Sequence, residues 1–325
     1  MKSWRRPWIF APLSLGMVLG LGGAALAAFS ATTIDGANQF VTAADWEPPH
    51  VTRTVVAKTP GYFGGKIRQG GQFFVYAQID DGGNPPAGVG TVTTDVSAFS
   101  TGGTAVVMAA GAFSVEGVLY NYRSAVRTAI NPMAAGIRTY SFTMADVVAP
   151  TPNSQTQTGF TVTVDNTVPV PVSWTAVNKV GGIAGRAEQG DIVTYTWNEP
   201  IDPESLIAGW NGGSPITVTA RISNGGGNAR FRLRNAAGVT TLPFGTVYLQ
   251  RNYVNATTLF PNSTITMLGN TVTVILGAPN APGNVNTVTV ATTPTWTPNT
   301  AAYDAAGNPM SGTAITLPGG PKIFF

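Results

Sequence analysis

The acidic residues that could support chemistry are concentrated in one short segment, NEPIDPES at residues 198–205. It carries Glu199, Asp202 and Glu204, and Asp191 lies shortly before it. Calcium prefers carboxylate oxygens as ligands, so these four residues predict a calcium site. The segment lacks a DxDxDG ligand loop, and aspartates in loops more often accept hydrogen bonds from nearby backbone N–H groups. Turn and cap chemistry is therefore the alternative, and no other cofactor is predicted.

Other catalytic chemistry has little support in the residue types. His50 is the only histidine, and no GxSxG motif accompanies it. The chain has no cysteine, which excludes thiol catalysis and cysteine-based metal sites. A hydrolase that acts through two carboxylates is a further alternative. The sequence as a whole predicts a protein that is not an enzyme.

Tryptophans form the third group of candidate functional residues. An aromatic face can stack on the C–H surface of a sugar ring, so exposed tryptophans would predict polysaccharide binding. The candidates for this role are Trp46, Trp210 and Trp296. Burial in a core is the alternative, and it is predicted for Trp174 and Trp197, which lie in strand patterns.

The segments that must position these residues have the pattern of strands and turns. Only 10% of the residues are charged, and the chain has 39 glycines and 24 prolines, which favours short strands joined by tight turns. Strand patterns recur from Val51 onward, with turn signals about every ten residues, as in antiparallel sandwiches. Asp202 and Pro203 predict the N-cap and the first residue of a short helix, the only one indicated.

The stretch FTVTVDNTVPVPVSW, residues 160–174, predicts a boundary between two domains. Asp165 and Asn166 favour a turn, and Pro169 and Pro171 interrupt the strand because proline lacks a backbone donor. The predicted organisation is a signal peptide at 1–27, an exposed leading segment at 28–50, one β-sandwich at 51–168 and a second at 169–325.

The N-terminus predicts export. Lys2, Arg5 and Arg6 precede an uncharged apolar run that ends in small residues, the order of a secretory signal peptide that is cut at or just after Ala27. An uncleaved anchor is the alternative, because the run is close to the ~20 residues that span a bilayer. Loss of the leader's basic residues leaves 15 basic residues against 15 acidic ones, and a neutral chain argues against a nucleic-acid partner.

Three stretches resemble bacterial protein families. Residues 27–33, AAFSATT, resemble the junction of secreted proteins processed by the SipW-type signal peptidase, the group that includes TasA and camelysin. This resemblance implies export from a Gram-positive-type bacterium. TVTVDNTVP resembles the joints of bacterial surface proteins with Ig-like domains. EQGDIVTYTWNEPIDPES resembles a second Ig-like type with a SEPIDP motif, although Trp197 and Asn198 replace its usual Phe-Ser.

These observations together predict an all-β chain of two tandem Ig-like antiparallel β-sandwiches that follow a cleavable N-terminal signal helix. We expect a secreted or cell-surface protein with a non-catalytic, structural or adhesive role. Its expected partners are cell-wall or matrix components, such as a polysaccharide or another surface protein. No nucleic-acid partner is expected, and a membrane is involved only if the leader stays uncleaved.

Overall fold

A computed structural model of the chain describes residues 45–82 and 86–325. The predicted signal helix, its cleavage site and most of the leading segment lie outside the described residues. Strands dominate the described part, whose helices are one short α-helix, α1 (Pro203–Leu206), and one 3₁₀ turn (Pro282–Asn284). Neither is long and apolar enough to cross a membrane. The prediction of an all-β chain is confirmed.

The first sheet is built from the strands that precede the predicted boundary. Its strands are β1 (His50–Lys58), β2 (Lys66–Ile67), β3 (Gln72–Asp80), β4 (Val89–Asp95), β5 (Val106–Val115), β6 (Val118–Ser124), β7 (Arg127–Thr128), β8 (Gly136–Asp146) and β9 (Ser154–Val164). Their order in the sheet is β1-β3-β6-β5-β4-β8-β9-β2, and β7 pairs with β3. All pairs are antiparallel except β2 with β9, which is parallel.

The second sheet is built from the strands that follow the boundary. Its strands are β10 (Pro171–Val177), β11 (Ile192–Trp197), β12 (Ile216–Ser223), β13 (Arg230–Arg234), β14 (Thr246–Tyr248), β15 (Thr258–Leu268), β16 (Thr271–Ile275), β17 (Thr295–Thr297) and β18 (Ile315–Thr316). Their order in the sheet is β10-β11-β16-β15-β12-β13-β14-β17-β18, with antiparallel pairs throughout. Pro171 begins β10, a position where proline costs no ladder hydrogen bond.

Each sheet has its own cluster of buried side chains, because alternate residues of a strand point to one face. In β3, Phe73, Val75 and Ile79 are buried in the first cluster. In the second half, Trp174 and Trp197 are buried in the other cluster, as predicted for them. The first sheet also carries a third, smaller cluster, formed by Ala57, Tyr76, Val115 and Tyr120. The described residues therefore form two β-sheets whose buried side chains belong to separate clusters. The Ig-like type of the units and their limits stay predictions.

Candidate functional site

Three carboxylates meet at the junction of the two sheets. Asp165 directly follows β9, Glu199 lies just after β11, and Asp304 lies in the loop between β17 and β18. One oxygen atom of each carboxylate lies within 4.8 Å of the corresponding oxygens of the other two. Asp165 belongs to the end of the first sheet and the other two to the second half, so the cluster joins the two β units.

The parallel pairing of β2 with β9 places Asp165. Its backbone N–H donates a hydrogen bond of 2.9 Å to the carbonyl of Ile67, which extends the pairing beyond β9. Lys66 of β2 then reaches the carboxylate, with its Nζ atom 2.9 Å from Oδ2 of Asp165. The lysine side chain is 43% exposed, so water and salt screen this ion pair and its net contribution to stability is small.

A tight turn at residues 304–308 places Asp304. Its Oδ1 atom accepts hydrogen bonds from the backbone N–H groups of Ala306 at 2.9 Å and Asn308 at 2.8 Å. Its Oδ2 atom accepts a hydrogen bond from the side-chain amide of Asn308 at 2.9 Å. The same amide donates to the backbone carbonyl of Asp165 at 2.8 Å, so the turn is tied to the end of the first sheet.

The cluster shifts the pKa values of its members in different directions. Burial alone would raise the pKa of Asp165, but hydrogen bonds from Lys66 and Thr167 outweigh it and hold this pKa below its usual value. Burial raises the pKa of Asp304. Burial, together with the charges of Asp304 and Asp165, raises the pKa of Glu199 to about 7. Glu199 therefore changes charge near neutral pH.

The spacing of the three carboxylates fits one divalent cation, since calcium and magnesium take carboxylate oxygens as ligands. The positive group that the structure places beside them is the ammonium of Lys66. A divalent cation would compete with Lys66 for Asp165. Calcium binding therefore stays a prediction, and the residues that could hold the ion are Asp165, Glu199 and Asp304.

We expect the stability of the protein to fall as the pH rises through the titration of Glu199. Its pKa is raised from 4.5 to about 7, so the folded protein keeps a proton that the unfolded chain releases between these values. The free energy of unfolding should decrease between about pH 5 and about pH 8 and level off above. Glu199→Gln should remove about 1 kcal/mol of this decrease, a value discounted because the side chain is partly exposed.

Urea unfolding of the wild type and of Glu199→Gln, each at about pH 5 and at about pH 8, measures this effect. Glu204→Gln is the matched control, because it removes the same charge from a residue outside the cluster. Equal loss of stability with pH in the wild type and in Glu199→Gln would show that the cluster does not control the titration.

A second ion pair crosses the junction and is buried. Lys58 ends β1, and Asp202 precedes α1; the ammonium of Lys58 bonds to Oδ2 of Asp202. The two side chains are 5% and 0% exposed. The aromatic ring of Tyr303 lies against the ammonium, with its centroid 5.4 Å from Nζ. Buried charges are tolerated when they are paired and hydrogen-bonded, and this pair meets both conditions.

Backbone N–H groups bind the same carboxylate from two sides. Its Oδ1 atom accepts a hydrogen bond of 2.9 Å from Glu204, which makes Asp202 the N-cap of α1, as predicted from the sequence. Its Oδ2 atom accepts a hydrogen bond of 3.0 Å from Tyr62, in the loop after β1. One side chain therefore fixes the start of the helix and the position of a loop of the first sheet.

The structure does not bring the four predicted calcium ligands together. Asp191 is buried, and its two oxygens accept backbone hydrogen bonds from Lys179 at 2.9 Å and from Glu188 at 2.7 Å. Asp202 is used by the buried ion pair, and Glu204 lies in the first turn of α1. The turn and cap alternative therefore applies to Asp191 and Asp202. Among the residues that the structure describes, only Glu199 of the predicted set lies in a group of three converging carboxylates.

Two of the three tryptophans predicted to stack on sugars are buried. Trp210 is 2% exposed, and its indole N–H donates to the carbonyl of Ser214 at 2.9 Å. Trp296 is 0% exposed and donates to the carbonyl of Phe244 at 2.8 Å. The prediction is wrong for both, because a buried ring offers no face to a ligand. Trp46 is 72% exposed and alone keeps the predicted accessibility.

The basic residues and two of the acids at the junction were not predicted as site residues. Asp165 and Asp304 lie in turn motifs, where a structural function for aspartate is the simplest interpretation. Lys58 lies in a strand pattern and Lys66 in a glycine-rich stretch that predicted a turn, and neither belongs to a motif. Their partners are remote in the chain. Lys66 meets Asp165 through the pairing of β2 with β9, and Lys58 meets Asp202 where the two sheets contact each other, so no local sequence signal could have identified them.

The chain was also compared with known proteins. No family model, no curated protein and no solved structure matches it.

Proposed function

We propose that the protein is exported and has a structural or adhesive role, without catalysis, at a bacterial cell surface or in an extracellular matrix. The observation that carries this proposal is the buried pair of Lys58 and Asp202 across the junction of the two β units. Opening such a junction would separate two desolvated charges, which is costly. A junction that resists opening is suited to a structural or adhesive protein, which must keep its shape. It is less suited to an enzyme whose parts move to close around a substrate.

The N-terminal sequence supports export. Its basic start, apolar run and small residues before Ala28 have the order of a secretory leader. The resemblance of residues 27–33 to SipW-type junctions, and of the TVTVDNTVP stretch to joints in surface proteins, supports the same location. Cell-wall or matrix components are the partners that this location offers, and we propose a polysaccharide or another surface protein among them.

The two alternatives have less support. Polysaccharide binding by stacked tryptophans would need a line of exposed tryptophans. Trp210 and Trp296 are buried in the core, so of the three candidates only Trp46 is exposed. A hydrolase would need two acids that can reach a substrate. Asp304 is 2% exposed, and both of its oxygens accept hydrogen bonds from within the protein, so it is poorly placed as a general acid or base.

Deletion of the gene in the producing bacterium tests the proposed function. We expect the deletion strain to adhere less to surfaces and to itself, and a wild-type copy to restore adhesion. Antibody labelling of intact cells should detect the protein on the outside. A protein that stays in the cytoplasmic fraction, or a deletion that leaves adhesion unchanged, would overturn the proposal. The deletion strain can also be complemented with a Lys58→Met gene that is expressed to the same level as the wild-type copy. Comparing adhesion of the two complemented strains tests whether adhesion depends on the closed junction.

A further inference from the structure

The basic and acidic residues of the second half are segregated along the chain. Glu204 and Asp304 are consecutive acidic residues, so the segment 205–303 between them has no carboxylate side chain. The same segment has five arginines and no lysine. It includes all the strands from β12 to β17. The balance of charges over the whole chain therefore conceals one strongly basic region.

Four of these five arginines lie on one face of two neighbouring strands. Strand β13 reads RFRLR, and its Phe231 and Leu233 are buried, so its arginines point to the opposite, outer face of the sheet. In β12, both chain neighbours of Arg221 are buried in the same core, which places Arg221 on that outer face too. We call this surface the arginine face; its members are Arg221, Arg230, Arg232 and Arg234.

The charges of the arginine face repel one another. Arg221 pairs directly with Arg232 in the register of β12 and β13, and like charges at opposite positions of two strands destabilise a sheet. Burial, together with the charges of Arg234 and Arg232, lowers the pKa of Arg221. None of the ion pairs of the described residues includes an arginine of this face. The described part of the chain therefore leaves these four positive charges without a balancing carboxylate.

Neutral groups hold two of the guanidiniums in place. The Nε atom of Arg232 donates a hydrogen bond of 2.8 Å to the hydroxyl of Thr246 in β14. The Nη1 atom of Arg234 donates a hydrogen bond of 2.7 Å to the carbonyl of Gly238. Arg230 is exposed, and the other three arginines are partly exposed. A guanidinium carries several N–H donors in a rigid planar fork, which matches the paired oxygens of oxyanions such as carboxylate and phosphate.

Hydroxyl groups continue the same outer face beyond the arginines. Thr246 of β14 pairs with Thr297 of β17, and Tyr248 of β14 pairs with Thr295. All four side chains are partly exposed. The ring centroid of Tyr248 lies 5.6 Å from the guanidinium carbon of Arg230. A surface that combines guanidiniums, hydroxyls and an aromatic ring suits a ligand that carries both anionic groups and hydroxyls.

We propose that the arginine face binds an anionic polysaccharide. Its guanidiniums bind the carboxylate or sulfate groups of the polymer, and the threonine hydroxyls of β14 and β17 bind the hydroxyls of the sugars. This mode of binding does not need exposed tryptophans. The inference rests on the proposed surface role and names the class of matrix component that is bound.

Two other polyanions suit this face less well. An anionic membrane would favour apolar side chains that enter the lipid, and strands β12, β13, β14 and β17 carry no large exposed apolar residue. Duplex DNA has its phosphates spread along a helical backbone, and four arginines grouped on two strands reach few of them. Both polyanions are included in the test.

Titration of the purified protein with dextran sulfate, polygalacturonate and uncharged dextran tests the inference. Dextran sulfate and dextran have the same sugar backbone and differ in charge. We expect the anionic polymers to bind, with an affinity that falls as the salt concentration rises, and dextran not to bind. The tighter of the two anionic polymers shows whether the face prefers sulfate or carboxylate.

Arg221→Gln is the variant that separates binding from stability. It removes one of two facing charges, so the free energy of unfolding should stay at the wild-type value or rise slightly. Its affinity for the anionic polymers should fall roughly tenfold, because a charge-assisted hydrogen bond is lost. Arg138→Gln is the matched control, since Arg138 belongs to the first sheet and donates to backbone carbonyls as Arg234 does. Its affinity should equal that of the wild type.

Four results would overturn the inference. The first is that neither anionic polymer binds at low salt, and the second is that dextran binds equally well. The third is an equal loss of affinity in Arg221→Gln and Arg138→Gln, which would assign binding to the overall charge of the protein. The fourth is tighter binding to duplex DNA or to phosphatidylglycerol vesicles than to the anionic polymers. All of these measurements use purified protein, so failure here is distinguishable from failure of the proposed location and adhesive role.

Discussion

Replacement of Lys58 by methionine is expected to lower the free energy of unfolding by about 3–5 kcal/mol, the cost of removing one partner of a buried ion pair. Methionine is similar in length and leaves no large cavity, so the loss comes mainly from Asp202. That carboxylate is 0% exposed and would be left charged and without its ammonium. The hydrogen bonds from Tyr62 and Glu204 remain, but they do not neutralise the charge.

Urea unfolding of the wild type and of Lys58→Met at neutral pH gives this value. Lys66→Met is the matched control, since it removes a lysine from the other ion pair at the same junction. The side chain of Lys66 is 43% exposed, so its loss should cost less than about 1 kcal/mol. Similar losses in the two variants would mean that burial does not distinguish the pairs and that Lys58 does not hold the junction.

Truncation of Trp296 to alanine is the second large effect, with an expected loss of about 3–5 kcal/mol. The ring is 0% exposed and lies edge-on to Tyr195 and Trp197, with centroids 5.1 and 5.4 Å away. Alanine would leave a cavity among these rings. It would also remove the indole N–H that donates to the buried carbonyl of Phe244, which adds to the cost.

Trp46→Ala is the control for this truncation, because the same side chain is removed from a position that is 72% exposed. Its stability should stay within about 0.5 kcal/mol of the wild type. If Trp296→Ala does not fold, Trp296→Phe gives a smaller loss that can still be measured by urea unfolding. A Trp296→Ala protein as stable as Trp46→Ala would contradict the burial of this ring. It would also return Trp296 to the candidates for sugar stacking.

The all-β class followed from the sequence because it depends on local properties. Alternating apolar residues define strand faces, and glycine and proline define turns, so β1 and β3 were identifiable from their own residues. The cap function of Asp202 was also predictable, because a capping carboxylate bonds to an N–H only two residues away. Local hydrogen bonding explains Asp191 in the same way. The sequence also indicated a boundary near residues 165–171, where the structure has the connection between β9 and β10.

Only the tertiary structure decided which charged residues meet. Lys58 reaches Asp202, and Asp165 reaches Glu199 and Asp304, where the two sheets meet, and no strand pairs across this junction in the described residues. It also decided that Trp210 and Trp296 belong to the core, since a tryptophan near a turn has the same sequence signal whether its ring points inward or outward. Composition and periodicity determine faces and turns. Pairwise contacts over long separations depend on strand order and register, and these are properties of the folded sheet.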